Sequence, residues 1–341
     1  MNESHPSKRI GTRLWKQIGK IILAGIVSVV ILSVLLCAYS VHPIRVANPN
    51  ENTDYVREPN ALYVKMMEGT AWGHFDTNGY NNAEVVDAPD ILIVGSSHME
   101  AANVMQYQST ASRLSELLEG RYTVYNVGMA RHRLARTFQY LERNIQVYGE
   151  NLKAVVIEVS SVNLTNEILE QILSGTVYQK KTYDTGVIAL LQKSPFINQL
   201  YKQLEGGLFG LNASTSEEEP APDAEAYTEL FSYLAELEAE YGVQMIIFYH
   251  PTGTLMEDGS ISFPDDEALA LFSENAATYG INFIDMTDAF EEMYYSEHHV
   301  AHGFANTELE TGHLNKYGHA AIANALYDEI NAMEEAGLIC K

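Results

Sequence analysis

The chain has 341 residues and carries 45 acidic against 21 basic side chains, a net charge of −24. That balance argues against a nucleic-acid partner, whose phosphates need a basic footprint. With 46% hydrophobic and 10% aromatic residues it is no disordered acidic tail, and two cysteines, Cys37 and Cys340, exclude a disulfide scaffold or a cysteine-based zinc module. The length suits two domains or one large α/β domain with extensions.

The charge is unevenly placed. Residues 21–41 form an uncharged apolar run, preceded by Lys8, Arg9, Arg13, Lys16 and Lys20 against the single acid Glu3. Twenty-one residues at about 1.5 Å each reach roughly 31 Å, enough to cross a bilayer core. The positive flank predicts a cytoplasmic tail over 1–20, a transmembrane helix over 21–41 and an extracytoplasmic body beyond. The tail carries +4; the rest holds 16 basic and 44 acidic residues, a charge of −28. A cleaved signal peptide is the rival reading, with Ala38-Tyr39-Ser40 at the cleavage spacing. The run is longer than a signal peptide's apolar core, which favours an uncleaved anchor. Bulky Leu36 argues against a lipid anchor on Cys37.

Residues 42–88 are rich in Asn, Pro and Gly and predict a lead-in of turns without a core of its own. A βα alternation then begins over a domain spanning 89–336. Strands are expected at Ile91–Val94, 122–127, Ala154–Val159, Gln244–Tyr249 and 281–285. Helices are expected up to residue 119, over 133–148, 224–240 and 265–278, and finally over 317–335. Five short apolar strands separated by helices predict an α/β fold, a three-layer αβα sandwich around a parallel sheet. Ligand sites in such sheets lie beyond the carboxyl ends of the strands, where the strand order switches. An insertion over 164–226 interrupts the alternation. Its helical part carries Lys180, Lys181, Lys193 and Lys202, a basic island, and its end, 212–226, reads as a solvated acidic loop.

Two segments can carry chemistry. Gly95-Ser96-Ser97-His98 follows the first core strand, where a sharp turn presents a serine at the sheet edge and a helix start supplies N–H donors for negative charge. Near the other end stands Glu310-Thr311-Gly312-His313, ahead of the last helix. A hydroxyl needs a base to become a nucleophile, and the base needs a carboxylate to fix its tautomer. Each segment alone is weak; a capping serine and a loop histidine are the ordinary readings. Asp285 and Asp288 are the reserve acids. His298, His299 and His302 beside Glu297 are read as a solvated loop rather than a metal site. His98 and Glu100 either line the pocket or simply begin a helix. Asn78, Tyr80 and Asn81 read as turn residues, and His250-Pro251 as a turn at the sheet's edge.

Taken together, these segments resemble the SGNH (GDSL-like) hydrolase superfamily. Gly95-Ser96-Ser97 is similar to its first block, Gly128 in Asn126-Val127-Gly128 to its second, and Glu310-x-x-His313 to its closing Asp-x-x-His. Asn163 fits the third block after a shift of one residue. The chain departs from the pattern at Ser96, where the family has Asp. That Gly-Ser-Ser form looks like the membrane-anchored branch that exports acyl groups to cell-wall polymers.

The resemblance covers about 89–335 and implies a flavodoxin-like five-stranded sheet. It implies Ser97 as nucleophile, His313 as base and Glu310 as the acid orienting it. It also implies an oxyanion hole of the Ser97 and Gly128 N–H groups and the Asn163 amide, each such donor lowering a barrier by about 3–4 kcal/mol. No cofactor and no metal are expected. The function implied is a membrane-anchored serine esterase or O-acyltransferase acting on a cell-surface glycan or polymer, beside a multipass membrane O-acyltransferase. The alternative is a non-catalytic SGNH-fold subunit of such a system.

Overall fold

The computed structural model describes residues 7–174, 185–198, 200 and 220–340. Five parallel strands make the main sheet: β1 (Ile91–Val94), β2 (Val124–Asn126), β3 (Ala154–Val159), β4 (Gln244–Tyr249) and β5 (Asn282–Asp285). They lie in the order 2-1-3-4-5, every neighbouring pair parallel. This is the flavodoxin-like order, and it switches direction between β1 and β3. Both faces of the sheet are buried, so β1 and β3 are apolar almost without alternation. One face packs on helices Leu141–Tyr148, Asn166–Leu173, Ala224–Tyr241 and Glu267–Tyr279; the other takes Thr110–Leu117 and the terminal helix Lys316–Glu335. The expected αβα sandwich is present.

The amino-terminal helix runs Ser7–Leu36, and its segment Arg13–Leu36 is apolar and long enough to cross a membrane, with none of it buried against the protein. It stops short of residue 41 because Ser40 and Val41 pair antiparallel with Lys65 and Val64. The helix Gly186–Gln192 exposes Val187 and Leu190, and Ser194 just beyond it meets Ser33 of the amino-terminal helix, hydroxyl to hydroxyl at 2.6 Å. Of the basic island, Lys193 is paired with Glu58 at 2.7 Å, while Lys180, Lys181 and Lys202 lie outside the described residues. The acidic loop lies outside them up to residue 219, and its end enters the helix capped by Asp223.

The lead-in is more than turns. Strands Leu62–Lys65 and Ala71–His74 form a hairpin over a small cluster of Tyr63, Ala71 and Phe75 with Ala102. Buried polar contacts join it to the α/β domain. Asn52 donates to Asn144 at 2.7 Å, Tyr125 donates its hydroxyl to Asp76 at 2.8 Å, and Asn82 donates to the Asn126 carbonyl at 2.9 Å. The firmest tie is Arg57, whose Nε lies 2.6 Å from Glu100 Oε1 and whose Nη2 lies 3.1 Å from Oε2. Burial works against charge on Glu100, but the Arg57 guanidinium outweighs it and holds the carboxyl below the usual range. The Arg57→Ala variant is expected to lose about 3–5 kcal/mol, because it strands a buried carboxylate. Urea unfolding of the detergent-purified chain measures that loss, and a shift under 1 kcal/mol would contradict the assigned tie.

Candidate active site

Ser97 opens a four-residue helix directly after β1, at the carboxyl edge of the sheet and beside the switch point. Ser96 caps that helix, its Oγ accepting the His98 N–H at 3.2 Å. The cap is itself held by Glu158 at the end of β3, which accepts the Ser96 N–H on one oxygen and the Ser96 hydroxyl, at 3.1 Å, on the other. A side chain at Gly95 has no room there, since a Cβ would stand 2.6 Å from the Glu158 carboxylate and 2.8 Å from Met99. The Gly-Ser-Ser turn is thus dictated by a buried acid one strand away.

His313 arrives from the loop before the terminal helix. Its Nε2 lies 3.0 Å from Ser97 Oγ, within reach for proton transfer. Its other nitrogen, Nδ1, lies 2.7 Å from Glu68 Oε1, which also accepts the His313 N–H at 2.8 Å. The expected nucleophile and base therefore meet, but the acid beside them is Glu68, not Glu310. Burial works to raise the Glu68 carboxyl, yet the hydrogen bonds and charge of His313 outweigh it and hold it below the usual glutamate range. A Ser–His–Glu line at these distances suits a hydroxyl nucleophile, a base, and an anion that fixes the base's tautomer.

Glu310 faces away from His313. Its carboxylate accepts the Gly253 N–H and the Ala301 N–H, each at 2.9 Å, and approaches His302 Nδ1 at 3.6 Å. Its backbone is left-handed, with φ of 54°. The reserve acids are also elsewhere. Asp285 is taken up by the N–H and hydroxyl of Thr287, and Asp288 lines a separate surface pocket.

The expected oxyanion hole is only partly assembled. The Ser97 N–H, first in its helix, makes no hydrogen bond among the described residues. Gly128's N–H is directed to Asn126 Oδ1 at 2.9 Å, because the Asn126 side chain folds back to donate to the Met99 carbonyl. Gly128 is small for a packing reason, since a Cβ would stand 2.4 Å from Met99 Cβ. Asn163 donates its amide to the Pro220 carbonyl at 3.0 Å, on the exposed side of the 160–164 segment.

The histidines follow a pattern the sequence did not suggest. His302 is buried at 0% exposure, outside any solvated loop, and faces His250, buried at 1%. His98 joins them, its ring centroid 4.5 Å from that of His250 and 5.3 Å from that of His313. His298 ends a helical turn and His299 packs on Tyr317, as expected of a surface loop. Tyr80 and Asn81 are buried, Asn81 donating to the Glu100 carbonyl, and Asn78 closes a turn on Asp76, so these three are structural. Beside Glu68 opens a cavity of about 810 Å³ lined by Trp72, Tyr294, Phe304 and Tyr317 among others; neither Ser97 nor His313 lines it.

No family model matches the chain, and no curated protein matches it by sequence. Solved structures similar in shape include an acetyl xylan esterase, AlAXEase, at 12% identity and a TM-score of 0.40, covering 70% of this chain and 99% of that one. Another is the psychrotrophic esterase EstA from Pseudoalteromonas sp., at 12% identity and 0.39, covering 72% and 98%. A third, from Slackia heliotrinireducens and assigned to the SGNH hydrolases, is 18% identical at 0.38, covering 71% and 99%.

Two variants separate the carboxylates. Glu68→Gln is expected to slow the reaction of Ser97 with a serine-directed fluorophosphonate by roughly 10³–10⁴-fold by leaving His313 without an anionic partner. Glu310→Gln is expected to leave that rate within a few-fold and to lower stability by about 1–3 kcal/mol. Labelling rates and urea unfolding of both decide, and the reversed pattern would restore Glu310 as the acid. Because the Glu68 carboxyl is lowered from 4.5, its contribution to stability is full above that value and fades as pH falls through the lowered one.

Proposed function

We propose that this chain is a membrane-anchored serine esterase or O-acyltransferase of the SGNH type, with its α/β domain on the extracytoplasmic side. The observation that carries this reading is the Ser97–His313–Glu68 line at 3.0 and 2.7 Å, at the sheet's switch point. His313 removes the Ser97 proton as Oγ attacks an ester carbonyl, and Glu68 stabilises the imidazolium that results. The Ser97 N–H at the helix start receives the developing oxyanion. Collapse of the tetrahedral intermediate expels the alcohol, which takes the proton from His313 and leaves acyl-Ser97. Water or a sugar hydroxyl then accepts the acyl group.

The substrate is best read as an acylated cell-surface glycan or polymer. Glu68 and His313 keep about 30% and 28% of their side chains exposed, which suits a bulky substrate approaching from solvent. Aromatic rings, which favour sugar faces, line the neighbouring cavity. A body of charge −28 favours a neutral glycan over an anionic polymer. Two features support retention of the anchor: the long apolar helix, and the strand pairing of Ser40 and Val41, which cleavage after Ser40 would divide. An anchored domain of this kind suits a partner that passes acyl groups across the membrane, a multipass O-acyltransferase. A non-catalytic subunit is disfavoured by the intact Ser97–His313 contact.

The detergent-purified chain is expected to label with a serine-directed fluorophosphonate and to release p-nitrophenol from p-nitrophenyl acetate. Ser97→Ala is expected to lose the label and at least about 10³-fold in rate. Absence of labelling in the wild-type chain, or equal labelling of Ser97→Ala, would overturn the assignment. Release from membranes by alkaline wash would overturn the anchor.

A further inference from the structure

The buried histidines behind Ser97 pose a problem of proton placement. His250 Nε2 lies 2.6 Å from Glu158 Oε1, a carboxylate that accepts, so the ring proton sits on Nε2 and the lone pair on Nδ1. His302 turns Nδ1 toward Glu310 Oε2 at 3.6 Å, beyond hydrogen-bond reach, so that buried nitrogen has no hydrogen-bond partner among the described residues. His250 Nδ1 faces His302 Nε2 at 3.2 Å, and either a proton or a cation between those two nitrogens satisfies both.

We propose that His98, His250 and His302 form a site for a divalent transition metal of the zinc type. One ring nitrogen from each lies within 4.8 Å of the others. Zinc–imidazole bonds of about 2.0–2.1 Å in a tetrahedron put neighbouring nitrogens roughly 3.3–3.4 Å apart, close to the 3.2 Å between His250 Nδ1 and His302 Nε2. Glu158 and Glu310 stand behind two of the rings, as carboxylates do in carboxylate–histidine–zinc arrangements. Charge points the same way. Both carboxylates are nearly inaccessible, with side-chain exposures of 1% and 2%, and among the described residues their ion-pair partners are histidines. A dication held by the three rings would balance those two buried carboxylates. His98 Nδ1 receives the Leu314 N–H at 3.2 Å, so coordination requires that ring to change tautomer or turn over, making it the weakest ligand.

The site stands independently of the ester chemistry. Full-length protein in detergent is stripped with EDTA and titrated with Co²⁺, then Zn²⁺, followed by visible absorption and elemental analysis. One cobalt per chain with a tetrahedral absorption band, displaced by zinc, is the expected result. His250→Ala and His302→Ala are expected to lose stoichiometric binding, and Glu158→Gln to bind about 10–100-fold more weakly. His98→Ala, half-buried and the safest to fold, is expected to lose the tetrahedral band. Ser97→Ala and the surface variant His298→Ala are expected to bind like wild type, so failure of the esterase reading leaves this result standing. Wild-type chain that takes up no stoichiometric metal, or His98→Ala and His250→Ala chains with an unchanged band, would overturn the proposal and leave a shared proton between His250 and His302.

Discussion

The buried carboxylate of Glu158 is the contact on which the site depends. It lies at the carboxyl end of β3, beside the switch in strand order, with 1% of its side chain exposed. A carboxylate in that position must be satisfied from all sides. It takes the N–H and hydroxyl of Ser96 on one flank and the His250 ring on the other. The first pair sets the turn that presents Ser97; the second fixes the orientation of His250 and, through it, of His302. Gly95 has to be glycine for the same reason, because the space a side chain would need is filled by that carboxylate.

A second constraint joins segments far apart in the chain. Glu68 comes from the strand-rich lead-in, yet it completes the Ser97–His313 line from the opposite side. Its placement depends on the hairpin over Tyr63 and Phe75, on the Arg57–Glu100 ion pair, and on Asn306, which accepts the Gly69 N–H and donates to the Met66 and Gly69 carbonyls. Gly69 itself has no space for a side chain, since a Cβ would stand 2.1 Å from the Asn103 carbonyl oxygen. The lead-in therefore belongs to the active unit, and it is also the stretch that leaves the amino-terminal helix. The amino-terminal helix and the Ser97–His313–Glu68 line are thus joined through one short segment.

Legibility followed the range of the interactions. Strands β1, β3 and β4 were visible as short apolar runs because burial on both faces leaves no room for polar alternation. Ser97 and His313 were visible because each sits in a local pattern, a strand-to-helix turn and a loop before a capped helix. Glu68 had no such mark. It pairs with a residue 245 positions away, and Glu310 offered the same functional group at a familiar spacing. Glu310 proved to be a carboxylate that gathers backbone N–H groups, a role its spacing to His313 does not reveal. His302 and His250 looked like loop and turn residues, and only packing brought them together.

The net charge of −24 divides into a basic tail and an acidic body, and sequence alone determined that division, the apolar span between them and the five-strand α/β pattern. It also singled out Ser97 and His313, because each sits in a local pattern, a strand-to-helix turn and a loop before a capped helix. Tertiary structure decided which acid serves His313, where the Gly128 and Asn163 donors point, and that three histidines converge behind Ser97. Each of those turns on where a side chain points once distant segments pack. Hydrogen-bond direction and burial are properties of that packing, not of spacing along the chain.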